Sequence, residues 1–185
     1  MSWVTWLAIG GIVVIVVAFI LTLIYYYNRI RVLSNRIEEG WAQIDVQLKK
    51  RYDLVPNLVE TVKGYAQHER EIFEKVSEAR ERMVSGSREE RMGASNELTG
   101  VLRTLFAVAE AYPDLKASEN FKLLQEQLDG IESKIAYARQ YYNSSVLVYN
   151  NLITTIPGTW FAAGRVKHAF LEIPEEERRP VKVEF

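Results

Sequence analysis

Hydrophobic and polar positions follow two different patterns along this chain, and the first is continuous. Residues 4–24 form an almost unbroken apolar run, and no residue before Arg29 has a charged side chain. Crossing the apolar core of a bilayer takes roughly 20 residues of helix. Tryptophans precede the run and three tyrosines follow it, and such rings favour the level of the lipid headgroups. The pattern predicts a transmembrane anchor over residues 1–28, with residues 3–27 in the lipid bilayer; the alternative is a buried core helix.

The charges beside this run predict its orientation. Arg29, Arg31 and Arg36 follow it closely, whereas the N-terminal side has only the α-amino group. Lys and Arg next to a span are retained in the cytoplasm. The run is longer than that of a cleaved signal peptide and has no basic start. We therefore expect an uncleaved single-pass anchor with its N-terminus outside and its C-terminal domain in the cytoplasm.

The second pattern begins at residue 30, where apolar positions recur at the spacing of amphipathic helices. It predicts an all-α fold with helices at about 30–52, 54–83, 90–112 and 118–156. Short connections between such helices favour an antiparallel, up-and-down four-helix bundle over residues 29–157. The two clearest apolar stripes are Ile30, Leu33, Ile37, Trp41, Ile44 and Leu48, and Phe121, Leu124, Leu128, Ile131 and Ile135.

Prolines mark the predicted corners. Asp53 can cap the second helix, with Pro56 in its first turn, where a missing N–H leaves no helical bond unmade. Pro113 ends the third helix. The fourth helix would be about 54 Å long and the first only about 35 Å. We therefore expect the fourth helix to bend near Asn143, or its last turns to pack elsewhere.

Residues 158–185 form a tail that mixes aromatic and basic side chains. One interpretation is a segment that lies at the membrane interface. The other is that the aromatic rings cover the open end of the bundle. The side chains concerned are Trp160, Phe161, Arg165, Lys167, Phe170 and Leu171.

The net charge of the chain bears on whether it binds nucleic acid. The net charge is −1, with both signs interspersed, so no nucleic-acid partner is expected. The dense basic cluster of Lys49, Lys50 and Arg51 is interpreted as a solvated helix end, because adjacent residues point in different directions around a helix. The chain has no cysteine, which excludes disulfides.

Two stretches resemble the LemA family of bacterial membrane proteins. They are GWAQIDVQLKKRYDLVPNLVETVKGYAQHE, residues 40–69, and AEAYPDLKASENFKLLQEQLDGIESKIAYARQYYN, residues 109–143. The resemblance implies a helical, up-and-down domain on one span of the bacterial cell membrane. It also implies a loose association with envelope stress and a membrane metalloprotease as a possible partner. It supplies no catalytic residues, and Ser118 departs from its pattern.

The polar residues indicate structure more than chemistry. His68, Glu69 and Glu71 lack the second histidine of a zinc-hydrolase helix. We therefore expect no metal and no cofactor. Arg139 is predicted to pair with Asp45 or Glu110 on a neighbouring helix and so to fix the register; an anion site is the alternative.

The resulting hypothesis is a non-enzymatic, membrane-anchored interaction or scaffold protein. Its predicted interaction tip lies at the end of the bundle away from the membrane. The alternative is an enzyme or metal-binding bundle with a site at that same tip. The predicted tip consists of Tyr52, Asp53, Asn57, Tyr112, Asp114 and Asn120.

Overall fold

The structure is a computed structural model that describes residues 3–66 and 69–172. All regular secondary structure within these ranges is helical, and the chain begins with a long apolar helix, as the sequence predicts. The helices are α1 (Trp3–Lys63), α2 (Arg70–Arg82), α3 (Arg88–Ala109), α4 (Pro113–Ala117), α5 (Glu119–Thr154) and α6 (Gly158–Phe161).

The helices are divided between two compact units. Unit 1 comprises Met1–Gly40 and Tyr141–Phe170, and unit 2 comprises Trp41–Gln140 and Leu171–Phe185. Both α1 and α5 contribute residues to each unit.

The N-terminal part of α1 is not a core helix. Residues 3–25 are strongly apolar, and every one of them is exposed. The helix is long and apolar enough to cross a membrane. The alternative of a buried core helix is therefore wrong.

The predicted corner at Asp53 and Pro56 is wrong as well. Helix α1 continues through Pro56 to Lys63, and the chain turns only at residues 64–65. The predicted helices at 30–52 and 54–83 are replaced by α1 and the shorter α2. A proline cannot donate to the carbonyl four residues earlier, which here belongs to Tyr52. Arg80 of α2 supplies that bond, because its Nε donates to the Tyr52 carbonyl at 2.9 Å.

The longer α1 also removes the predicted mismatch in length. Residues 30–63 span about 51 Å, close to the roughly 54 Å of α5. Helix α5 passes through Asn143 without interruption. The apolar stripe of α1 continues past Leu48 at the same spacing, and its buried members there are Arg51, Val55, Leu58 and Val62.

A tight connection joins α2 to α3, which pack on each other. Ser87 and Glu90 form a reciprocal cap, in which each side chain accepts a hydrogen bond from the other's backbone N–H. Gly86 has φ +100°, a conformation that favours glycine. This cap starts α3 at Arg88, two residues before the predicted start.

The chain turns after α3 close to Pro113, as predicted, but the short helix that begins at this proline is not predicted from the sequence. Helix α3 ends at Ala109, three residues before the predicted end, and Pro113 opens the short helix α4. Leu115 of α4 is fully buried. Helix α5 starts and ends within two residues of the predicted bounds.

In unit 1, glycine allows α1 and α5 to approach closely. A Cβ atom placed on Gly40 would lie 3.0 Å from the Tyr142 Cα. Helix propensity alone would make Gly40 a weak point of the helix, at a cost of about 1 kcal/mol relative to alanine. In the structure, the lack of a side chain at Gly40 leaves room for Tyr142 of α5. Beside this contact, the Tyr141 hydroxyl donates a hydrogen bond to the Glu39 carboxylate at 3.1 Å.

Candidate functional site

The first half of the predicted interaction tip lies within a helix and not in a loop. Tyr52, Asp53 and Asn57 are all residues of α1. Asp53 is exposed and pairs with Lys49 one turn earlier, at 2.6 Å. Tyr52 is partly covered, because the Arg80 guanidinium stacks over its ring at 3.6 Å from the centroid.

The second half of the tip lies between α3 and α5. Tyr112 immediately precedes α4, Asp114 is in its first turn, and Asn120 is in the first turn of α5; Asp114 and Asn120 are exposed. The two halves come near each other on one side, because Asp53 lines a cleft with Leu123, one turn after Asn120. Whether these residues bind a partner stays a prediction.

The predicted pairing of Arg139 with Asp45 is wrong. Asp45 forms an ion pair with Arg91 of α3, and the alternative partner Glu110 pairs with Lys116. Arg139 is buried, and its Nη1 donates to the Glu172 carbonyl at 3.4 Å. Arg139 therefore contacts the backbone of the C-terminal segment.

The best-formed polar cluster surrounds Arg51, which is only 3% exposed. Its Nη1 donates to the Ser95 hydroxyl at 3.0 Å, and its Nη2 donates to the Thr99 hydroxyl at 2.9 Å. The Glu132 carboxylate lies 2.7 Å from Nη1. This cluster ties α1 to both α3 and α5.

The electrostatics of the cluster indicate a structural role. Burial lowers the pKa of the Arg51 guanidinium from its usual value, and Glu132 opposes that shift. Arginine stays charged even so, because its ordinary pKa lies so far above neutral pH. Breaking such a buried pair leaves a charge without its partner, so the cluster favours one register of the three helices.

Arg91, in the first turn of α3, contacts three other residues. Its guanidinium pairs with Asp45, and its Nε donates to the Met83 carbonyl at 2.9 Å. It also lies 5.4 Å from the centre of the Trp41 ring. One arginine thus contacts α1, the end of α2 and an aromatic ring, which is packing and not a reactive arrangement.

The metal hypothesis finds no geometric support in residues 3–66 and 69–172. No group of three or more His, Asp or Glu side chains there is arranged to hold a metal ion. His68 lies outside the described residues. Glu71, three residues after His68, pairs with Lys75 on the exposed face of α2.

Comparison with known proteins identifies the family. The sequence profile described as LemA family matches residues 40–185, most of the chain. The chain belongs to the LemA family. The match starts at Gly40, so within α1 it covers only residues 40–63 and leaves out the apolar run.

Relatives of this chain are found among magnetosome proteins. Magnetosome protein MamQ of Magnetospirillum gryphiswaldense is 25% identical over 173 residues, covering 79% of this chain and 64% of the relative. Magnetosome proteins MamQ 1 and MamQ 2 of Paramagnetospirillum magneticum are each 27% identical over 174 residues, covering 80% of this chain and 64% of each relative. The chain thus spans less than two thirds of the length of these relatives.

Arg51 is the residue of this LemA domain that sequence reasoning misplaces. The basic cluster suggests a solvated helix end, yet Arg51 occupies a buried position. A signal for burial is present: Leu48, Arg51 and Val55 are spaced 3 and 4 apart, so Arg51 continues the apolar stripe. The wrong corner at Asp53 hides that signal.

Proposed function

We propose that this LemA-family chain is a membrane-anchored, non-enzymatic protein whose helical domain binds another protein. The observation that carries the anchor is that no residue of the apolar N-terminal part of α1 is buried. An uncharged surface of that size needs a cover, and a bilayer suits its length and its flanking aromatic rings. Arg29, Arg31 and Arg36 favour a cytoplasmic helical domain.

The domain that follows is proposed to be an antiparallel four-helix bundle of α1, α2, α3 and α5. Contacts within unit 2 support this arrangement. Arg51 is bonded to α3 and α5, and Arg80 of α2 is bonded to Tyr52 of α1. Short connections link α1 to α2 and α2 to α3, which favours antiparallel neighbours.

A binding role suits the surface better than catalysis does. The Arg51 guanidinium is held by Ser95, Thr99 and Glu132, an arrangement that joins helices and contains no nucleophile paired with a base. Three exposed polar side chains are available to a partner: Asn57 on α1, Asp114 on α4 and Asn120 at the start of α5. The resemblance to the family favours a membrane metalloprotease as the partner.

The absence of cysteine provides a direct test of the anchor and its orientation. Single cysteines at Ser2 and Ser85 would be labelled in intact cells with a membrane-impermeant maleimide. We expect labelling at position 2 and none at position 85 until the cells are opened. The chain should also stay in the membrane pellet after alkaline carbonate extraction, whereas a variant without residues 1–28 should not. Release of the full chain by carbonate would refute the anchor.

The binding role is tested by crosslinking in living cells. A photoreactive residue at Asn57 or Asp114 should give one reproducible protein adduct. Lys75, exposed on α2 and outside the proposed surface, is the matched control and should give none. A blank at both test positions, or the same adduct from position 75, would contradict the proposed binding surface.

A further inference from the structure

The residues after α5 expose a series of large apolar side chains. The exposed fractions are 72% for Ile156, 70% for Trp160, 76% for Val166 and 48% for Phe170. We call residues 156–170 the tail segment. So much exposed apolar area within 15 residues indicates a surface that another phase or molecule covers.

The tail segment is placed beside the end of the apolar run of α1. The Phe161 ring stacks on the Tyr26 ring, with centroids 5.0 Å apart and planes inclined by 14°. The same ring lies 6.4 Å from that of Phe19. Phe19 lies in the last two turns of the apolar run and Tyr26 follows the run directly, so α6 lies where that run gives way to charged residues.

Two hydrogen bonds hold the tail segment in this place. The Asn150 Nδ2 donates to the His168 carbonyl at 2.9 Å, and the His168 N–H donates to the Asn150 Oδ1 at 3.0 Å. The Tyr149 ring meets the His168 ring edge to face, with centroids 4.9 Å apart. His168 is therefore tied to α5, as the Phe161 ring is tied to α1.

Charge distinguishes this region from the rest of the chain. No Asp or Glu occurs in residues 1–37 or in residues 133–171. These stretches are far apart in sequence, and most of both belongs to unit 1. The acidic side chains of unit 1 are Glu38 and Glu39, and its basic side chains are Arg29, Arg31, Arg36, Arg165 and Lys167.

We propose that the tail segment is a second membrane contact, an interfacial segment that binds the headgroups of anionic lipids beside the exit of α1 from the bilayer. Trp160 and Ile156 enter the boundary between headgroups and acyl chains, and Arg165 and Lys167 meet lipid phosphates. This rests on the proposed anchor. Apolar side chains interleaved with cations and free of carboxylates match an anionic lipid surface.

The test uses the full chain in vesicles, with Trp160 as its only tryptophan and the other three replaced by phenylalanine. A companion variant keeps only Trp6. Vesicles contain phosphatidylcholine alone or mixed with phosphatidylglycerol, with lipids brominated near the headgroup end of their acyl chains as quenchers. We expect Trp160 to be quenched most in the phosphatidylglycerol mixture, and less as salt rises.

Charge removal then tests the recognition of anionic lipid. Arg165→Gln together with Lys167→Gln should lower the ratio of membrane-bound to detached tail by about fivefold per charge in the mixed vesicles. Lys122→Gln, which removes an exposed charge from unit 2, is the matched control and should change nothing.

The remaining outcomes separate the proposals. Quenching of Trp6 without quenching of Trp160 would overturn the tail contact and leave the anchor standing. Quenching of neither would overturn both. Equal quenching of Trp160 in both kinds of vesicle, indifferent to salt, would overturn the recognition of anionic lipid. Crosslinks between copies at position 160, in place of quenching, would assign the surface to a second copy of the chain.

Discussion

The bond from Arg80 to the Tyr52 carbonyl makes a quantitative prediction about Pro56. A proline inside a helix costs about 3 kcal/mol or more, partly because the carbonyl four residues earlier loses its donor. Here Arg80 donates to that carbonyl at 2.9 Å and stacks on the Tyr52 ring. If Arg80 compensates for Pro56, its removal should cost more with proline at position 56 than with alanine.

The expected magnitude is the sum of the two contacts. Losing a hydrogen bond from a charged donor costs about 1.5 kcal/mol when water can still reach the groups. Losing the cation–π contact costs about 0.5–1 kcal/mol. Arg80→Met should therefore lower the free energy of unfolding by about 2 kcal/mol. In a Pro56→Ala background the N–H of residue 56 can bond the Tyr52 carbonyl, so the cost should fall to about 0.5–1 kcal/mol.

The assay is urea unfolding of the full chain in detergent, followed by circular dichroism for the four members of the double-mutant cycle. Arg82→Met is the matched control, because Arg82 is two residues away and pairs with Glu97 on the surface. It should cost less than about 1 kcal/mol in both backgrounds. An equal cost of Arg80→Met with proline and with alanine at position 56 would refute the compensation.

Three further predictions concern other local devices. Gly158→Ala should destabilise the tail segment, because the added Cβ would collide with a backbone oxygen of α5. Amide hydrogen exchange in residues 158–170 should become faster. Gly130→Ala is the control and should leave this exchange unchanged, because its Cβ would meet open space. Ser87→Ala should cost about 1 kcal/mol of unfolding free energy in a urea titration, by loss of the α3 cap. Glu132→Gln should cost more than Arg51→Met in the same titration, because it leaves a buried cation without its counter-charge; the reverse order would contradict the assigned role of the cluster.

Rules that act over a few residues predict much of the fold. The apolar run, the bounds of α5 and the corner at Pro113 all come from spacing and turn chemistry. The place of Pro56 does not, because the rule for proline considers one helix in isolation. The donor that makes this proline acceptable is Arg80, 28 residues beyond Tyr52 in the chain.

The candidate surfaces are also hard to predict from the sequence, because they depend on residues that are distant in the chain. Arg51 can be assigned to the core from its place in the apolar stripe, but only once the helix is known to continue. The excess of basic charge around the tail segment arises from stretches that meet only in the folded unit. The partners of Arg139 and Asp45 depend on rotation about each helix axis, which spacing alone leaves open.

The close approach at Gly40 has a consequence for how the protein is made. Glu39 and Tyr141, which meet beside it, are 102 residues apart in the chain. A ribosome adds about 5–20 residues per second, so α1 emerges roughly 5–20 s before the residues that cover it. During that interval Ile30, Leu33 and Ile37, which are buried in the folded chain, lack the α5 residues of their unit. Nascent chains stopped before residue 141 should therefore be degraded faster than chains stopped after residue 157.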